Sequence, residues 1–167
     1  MNETPKHVRH KPPSPLAQER QLVLACPQFR SAVNLARIAR LAGCSGVKKL
    51  VACGQTKVDP KIARNSLDYL EIQRRRTLTS WLKEARKEQY HVTALEQSDS
   101  SVSLYDYQFP KKCILLIGHE RLGVAESDLQ LADDIIEIPV YGQPASYNVV
   151  TATTMAVYEY CRQHPNG

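Results

Sequence analysis

The chain has 167 residues, 43% of them hydrophobic, which is enough to bury one ordinary core. No run approaches the roughly 18 apolar residues of a membrane span, and the first residues lack the apolar segment of a signal peptide. The formal net charge of +5 permits a nucleic-acid partner without requiring one.

Residues 1–18 contain four prolines together with Lys6, Arg9 and Lys11 and read as a flexible basic tail. Residues 19–167 remain as one domain. Gln21–Cys26 is a short apolar run and predicts a buried strand. Asn34–Ala42 is helix-like and stops near Gly43. Lys49–Cys53 predicts a second strand, and Asp59–Asp68 a loop with a short helix. Leu78, Trp81, Leu82 and Ala85 recur at helical spacing, which predicts a helix over Leu78–Glu88. His91–Glu96, Lys112–Gly118 and Ile135–Val140 supply three more strands, and Val149–Arg162 the closing helix. Strands alternating with helices define an α/β protein with a mostly parallel sheet and helices on both faces. The unbroken apolar run Cys113–Ile117 suits a central strand buried on both sides.

Cys26, Cys44, Cys53, Cys113 and Cys161 are scattered, mostly within apolar runs, and read as reduced, buried thiols. They do not cluster with the five histidines, so no metal site is expected. Arg64, Arg74, Arg75 and Arg76 follow Lys57 and Lys61 closely. A solvated helix face and a phosphate-facing patch both account for such a run, and the second would bind RNA.

Three polar segments stand out. Gly142–Asn148 joins an apolar strand to the last helix and offers Ser146 as an N-cap, a setting suited to binding a polar ligand through backbone amides. Gly118-His119-Glu120, with Gly123 after it, follows the most apolar strand. Asn34 opens the first helix, with Arg40 two turns on.

These segments, in this order, resemble the three motifs of the SpoU class of ribose 2′-O-methyltransferases in the SPOUT superfamily. Asn34 and Arg40 match the first motif, Gly118-His119-Glu120 and Gly123 the second, and Ser146-Tyr147-Asn148 the third. His119 stands where the family has asparagine, and Tyr147 where it has leucine. From residue 92 on, the chain also resembles the methyltransferase domain of eukaryotic tRNA guanosine 2′-O-methyltransferases, through Ala94–Gln97, Tyr107–Lys112 and Gly118–Arg121.

The resemblance implies a SPOUT fold with a C-terminal trefoil knot and S-adenosylmethionine as cofactor. Leu95, Glu96, Leu116, Gly118, Ile138, Ser146 and Tyr147 would hold it, on loops that the knot gathers. Asn34, Arg40, Glu120, Ser146 and Asn148 would be the catalytic set. No metal is needed, because a sulfonium already activates the methyl group. Arg40 is the residue the family assigns to activation. A guanidinium with a pKa above about 12 is a poor general base, so Arg40 is expected to bind phosphate and stabilise charge on the 2′-oxygen. Glu120 is expected to orient Arg40 or hold a substrate hydroxyl, and Asn148 to fix the pocket loops. His119, the residue type whose imidazole can exchange a proton near neutral pH, is a weaker candidate base.

The implied partners are an RNA, tRNA before ribosomal RNA, and a second copy whose first motif faces the cofactor pocket. The apolar face of the last helix, from Val149 through Ala152, Met155 and Ala156 to Tyr160, exceeds the needs of one sheet face and suits a homodimer. Tyr158 and Tyr160 read as packing or dimer contacts. The implied location is the cytoplasm. A non-catalytic RNA-binding or assembly protein on this fold is the competing reading. An unrelated nucleotide-binding fold is disfavoured by the lack of a glycine-rich phosphate loop.

Overall fold

The computed structural model describes residue 4 and residues 6–167, so residues 1–3 and 5 of the expected tail lie outside the described part. The elements in chain order are β1 (Leu22–Cys26), α1 (Ala32–Cys44), β2 (Lys49–Cys53), α2 (Pro60–Ala63), a 3-10 turn (Arg64–Asp68), β3 (Glu71–Arg75), α3 (Leu78–Lys87) and β4 (His91–Leu95). There follow β5 (Val102–Ser103), β6 (Cys113–Ile117), α4 (Glu126–Leu129), β7 (Asp134–Glu137) and α5 (Val149–Gln163).

The strands form one seven-stranded sheet in the order β3-β2-β1-β6-β4-β7-β5, and every pairing is parallel. The centre of the sheet, β1 and β6, is buried on both faces, as the continuous apolar runs require. Alternate residues of these strands point to opposite layers. Leu22, Leu24, Cys26, Cys113, Leu115 and Ile117 pack with Leu35 and Ile38 of α1 and Val157 and Tyr160 of α5. Val23, Ala25, Ile114 and Leu116 pack with Leu78, Trp81, Leu82 and Ala85 of α3. Burying one such leucine contributes about 2 kcal/mol.

Four elements depart from the sequence-based expectation. The segment Glu71–Arg75 is an edge strand, not part of a helix. Its polar composition hides it, because an edge strand needs only one apolar position, here Ile72. Val102–Ser103 and the four-residue α4 are too short to carry a period, whereas α2 is the short helix expected within Asp59–Asp68. The last strand ends at Glu137, so Ile138–Val140 already belongs to the loop above the sheet.

Tyr160 is buried in one chain: its hydroxyl donates to the Lys111 carbonyl at 2.7 Å, and its ring meets Phe109 edge-on. Tyr158 is 75% exposed. The amides of Ala17 and Gln18 donate to the Asn166 carbonyl, which ties the residues before β1 to the end of the chain. Cys26, Cys53 and Cys113 are buried, and burial pushes the Cys53 thiol up to about 11 and that of Cys113 to about 12. Cys44, expected to be buried, is exposed at the last residue of α1. No helix among the described residues is long and apolar enough to cross a membrane.

Candidate active site

The carboxyl ends of β4, β6 and β7 open into a cleft of about 250 Å3. Three loops line it: Leu95–Gln97 after β4, the turn Gly118–Gly123 after β6, and residues 137–149 after β7. Loops at the carboxyl ends of a parallel sheet are where such folds place ligands. Leu95, Ile117, Ile138 and Val149 make one apolar wall, while Glu96, Gln97, Glu137 and Ser146 supply polar groups.

The turn after β6 is held from inside. His119 and Gly123 exchange two backbone hydrogen bonds, N to O 2.9 Å and 3.1 Å. Gly123 has φ +68°, and a Cβ there would strike the Glu96 carboxylate. A Cβ on Gly118 would meet the backbone of Gly123. Close approach therefore fixes both glycines. The Glu96 carboxylate accepts from the Val124 amide at 2.8 Å and the Gln97 amide at 3.0 Å. Glu96 thus braces the turn as well as lining the cleft.

Glu120 joins the turn to α1. Its Oε1 accepts from the Ser31 amide and from Asn34 Nδ2, both at 3.1 Å, and its Oε2 accepts from the Arg30 amide at 3.2 Å. Ser31 is the N-cap of α1 and accepts from the Asn34 amide at 3.3 Å. A carboxylate at the first turn of a helix faces unpaired amides and the positive end of the dipole. Burial alone would raise the Glu120 carboxyl. Hydrogen bonds from the Ser31 amide, the Asn34 side chain and the Arg30 amide outweigh it and hold the group below its ordinary value. His119 Nε2 lies 3.5 Å from Glu120, and its Nδ1 accepts from the Arg121 amide at 3.1 Å. His119 is thereby tied into its own turn.

The candidates separate on this geometry. Glu96, Gly118, Glu120, Ser146, Tyr147, Leu95 and Ile138 line the cleft. Leu116 does not: it is 1% exposed and packs toward α3, and by alternation Ile117 takes the lining position. Asn34 is 9% exposed and bonded to Glu120, so the expected Glu120–Arg40 pairing is replaced by Glu120–Asn34. Arg40 lies six residues further along α1, about 9 Å at 1.5 Å per residue. It is exposed, outside the cleft, and without an ion-pair partner among the described residues.

Asn148, not Ser146, caps α5: its Oδ1 accepts from the Val150 amide at 2.9 Å. Ser146 sits two residues earlier, exposed at the cleft mouth. Arg64 starts the 3-10 turn with φ 56° and is exposed. Arg74 and Arg75 alternate on β3 and point to opposite layers. Arg75 lines a small recess with Trp81 of α3, and Arg74 lies on the side of Ile72 and α1. The arginine run is therefore not one patch. Ser31, Gln97, Ile117 and Glu137 join the site without a signal in the three motifs. Ser31 was legible as a serine three residues before the N3 position it caps, and Ile117 through strand alternation.

A parallel α/β domain whose cleft is built from strand-end loops, with a carboxylate bridging the cleft to a helix N-terminus, is a ligand-binding domain of the kind that places a small cofactor beside an open substrate face. The chain belongs to the SpoU rRNA methylase family, which it matches over residues 21–158. It is 41% identical over 88 residues to the tRNA (guanosine(18)-2′-O)-methyltransferase of Saccharomyces cerevisiae, covering 52% of this chain and 6% of that one. The enzyme of the same name from Escherichia coli is 26% identical over 148 residues, 87% of this chain and 65% of that one. The chain thus spans less than two thirds of the length of these relatives. Its fold matches the crystal structure of the Aquifex aeolicus TrmH/SpoU tRNA modifying enzyme with a TM-score of 0.83, at 26% identity over 89% of this chain and 79% of that one. It matches the SpoU methyltransferase AviRb from Streptomyces viridochromogenes, in complex with the cofactor AdoMet, with a TM-score of 0.76, at 26% identity over 90% and 63% of the two chains.

Proposed function

We propose that this protein transfers a methyl group from S-adenosylmethionine to a ribose 2′-hydroxyl in RNA, with tRNA as the substrate. The observation that carries the reading is the cleft wall of three strand-end loops locked by Glu120 to the first turn of α1. The donor set fits the cofactor. A flat apolar wall of Leu95, Ile117 and Ile138 suits an adenine ring, and Gln97, Glu137 and Ser146 suit its polar ends. The cofactor supplies a methyl group activated by the adjoining sulfonium. The chain's own groups position and stabilise. Glu96 holds the turn that forms the cleft floor, Tyr147 and Ser146 border its mouth, and Glu120 fixes Asn34. Asn148 sets the start of α5 and with it the exit of the loop.

Arg40 is the group that would bind the neighbouring phosphate and stabilise negative charge on the 2′-oxygen. Its distance from the cleft within one chain favours a homodimer in which the Arg40 of each copy serves the cleft of the other. The chain closing on itself as a trefoil knot and residence in the cytoplasm complete this reading. The preference for tRNA rests on the relatives named for it. Titration calorimetry with S-adenosylmethionine, followed by transfer of a labelled methyl group to tRNA or ribosomal RNA, tests the reading. Binding at one site per chain and 2′-O-methylation of tRNA are expected. Failure to bind S-adenosylmethionine refutes it, and methylation of ribosomal RNA alone refutes the substrate.

A further inference from the structure

Three exposed tyrosines gather beside the cleft: Tyr147 lines it, and Tyr105 and Tyr141 lie close to one another beyond β5 and β7. Tyr141 is 82% exposed, Tyr105 71% and Tyr147 41%. Their closeness follows from the sheet. β5 and β7 pair with Ser103 opposite Glu137, and the Leu104 amide donates to the Glu137 carbonyl at 2.8 Å. Tyr105 and Tyr141 thus leave the same end of adjacent strands. Tyr147 lines the cleft itself beside Glu137 and Ile138. The Tyr105 phenol, chiefly by hydrogen bonding, raises the Tyr141 phenol above its ordinary value, with a smaller contribution from Tyr147.

Single exposed aromatics are ordinary, as Tyr69 and Tyr158 are here. Three gathered beside one cleft, one of them in its wall, are not. Exposed rings gain nothing for the folded chain, whereas rings beside a reaction site offer flat faces to flat ligands. A ribose 2′-hydroxyl reaches a cleft only if its nucleotide is unstacked from its neighbours, and aromatic side chains compensate for that missing stacking. Arg121 lines the same rim, exposed and without an ion-pair partner among the described residues, and suits the phosphate of such a nucleotide.

We infer that Tyr105 and Tyr141, continued into the cleft by Tyr147, form a stacking platform for an unpaired nucleobase next to the methylated ribose, so that the substrate is single-stranded or extruded at the target. This rests on the RNA-methylation reading and specifies the substrate for that site.

The test uses the full chain and a short single-stranded oligoribonucleotide containing 2-aminopurine, whose fluorescence falls when the base stacks. Binding to the parent protein should quench the fluorophore. The double variant Tyr105→Ala/Tyr141→Ala should abolish the quench and weaken binding about tenfold or more, with an unchanged salt slope, because the rings act on the base and not on phosphate. Tyr105→Phe/Tyr141→Phe should retain both quench and affinity. Parent binding without a quench, or equal affinity of the alanine variant, overturns the platform while leaving the methylation reading intact. Conversion of the alanine variant to a monomer with unchanged RNA affinity also overturns it, assigning the tyrosines to a second copy. A parent protein that binds S-adenosylmethionine but neither this probe nor tRNA refutes the RNA reading itself, and the platform with it.

Discussion

The two ends of strands β4 and β7 are built on opposite terms. At the amino ends the polar groups are spent on the fold. His91 Nε2 lies 2.6 Å from Asp134 Oδ2, and the Tyr107 hydroxyl donates to the same oxygen at 2.8 Å. Thr93 and Tyr107 share a buried hydroxyl hydrogen bond at 2.9 Å, and Gln163 of α5 donates to the Tyr107 carbonyl at 2.8 Å. At the carboxyl ends Glu96 and Glu137 are still bonded, but in the loop beyond β7 every residue from Tyr141 to Asn148 is exposed, and the side-chain hydrogen bond within that stretch is the Asn148 cap. Closing one end with a bonded network lets the other carry, beside the braced turn after β6, an exposed loop that is free to meet ligands.

The largest effects should separate the two ends. Tyr107→Phe leaves Thr93 and Asp134 without a shared partner and should cost about 1–3 kcal/mol, seen as a lower Tm, with S-adenosylmethionine affinity retained by the folded protein. Arg40→Ala should do the reverse: an unchanged Tm and cofactor affinity, with turnover reduced by about 10²–10³. If Arg40 acts across a dimer, pairing an Arg40→Ala chain with a Gly118→Ala chain, whose added Cβ meets Gly123, leaves one undamaged site per heterodimer. Activity should then return toward half of the parental value. A verified heterodimer with no activity would break the composite site, and a coincident loss of cofactor binding in Arg40→Ala would move Arg40 into the cleft.

The same contrast explains what the sequence revealed. β1, β2 and β6 were legible because burial on both faces writes an almost continuous apolar run, and β4 because Val92, Ala94 and Leu95 keep an apolar core around the buried Thr93. α3 was legible because Leu78, Trp81, Leu82 and Ala85 keep one period. The edge strand β3 was not, since Glu71, Arg74 and Arg75 face solvent and strand pairing uses backbone rather than side chains. At the site, the motif residues were legible as chemistry but not as partners. Glu120 bonds Asn34 and two backbone amides because α1 begins beside the turn after β6, a juxtaposition fixed by the β1–β6 pairing across about 90 residues of chain. Ser146 and Asn148 are both good caps by composition, and only the path of the loop decides between them.

A smaller effect sharpens the comparison at the cleft end. The Glu120 carboxyl is held below its ordinary value of 4.5, so the folded state favours the charged form. Its contribution to stability is therefore complete above that value and disappears as pH falls through the lower folded-state value. Glu120→Gln has no such titration. Near neutrality the variant should be less stable by about 1 kcal/mol, and the gap should close in acid. A gap constant down to strongly acidic pH would show that the carboxylate charge contributes nothing to holding α1.

The smallest expected effect concerns the arginine run. Arg74 and Arg75 are adjacent in sequence, but the strand directs Arg74 to the layer of α1, where Arg40 and the 3-10 turn bearing Arg64 also lie, and Arg75 to the layer of α3. Only the first layer presents a set of cations on the side of the proposed catalytic arginine. An arginine that neutralises one phosphate displaces about one counterion, so deleting it lowers the slope of log affinity against log salt by about 0.7–0.9. Arg74→Ala and Arg64→Ala should each lower the slope for tRNA by roughly that amount and weaken binding several-fold at moderate salt. Arg75→Ala should leave the slope within error. Equal slopes for Arg74→Ala and Arg75→Ala would mean that RNA follows the sheet edge rather than one layer. No change in any of the three would make the run a solvated surface.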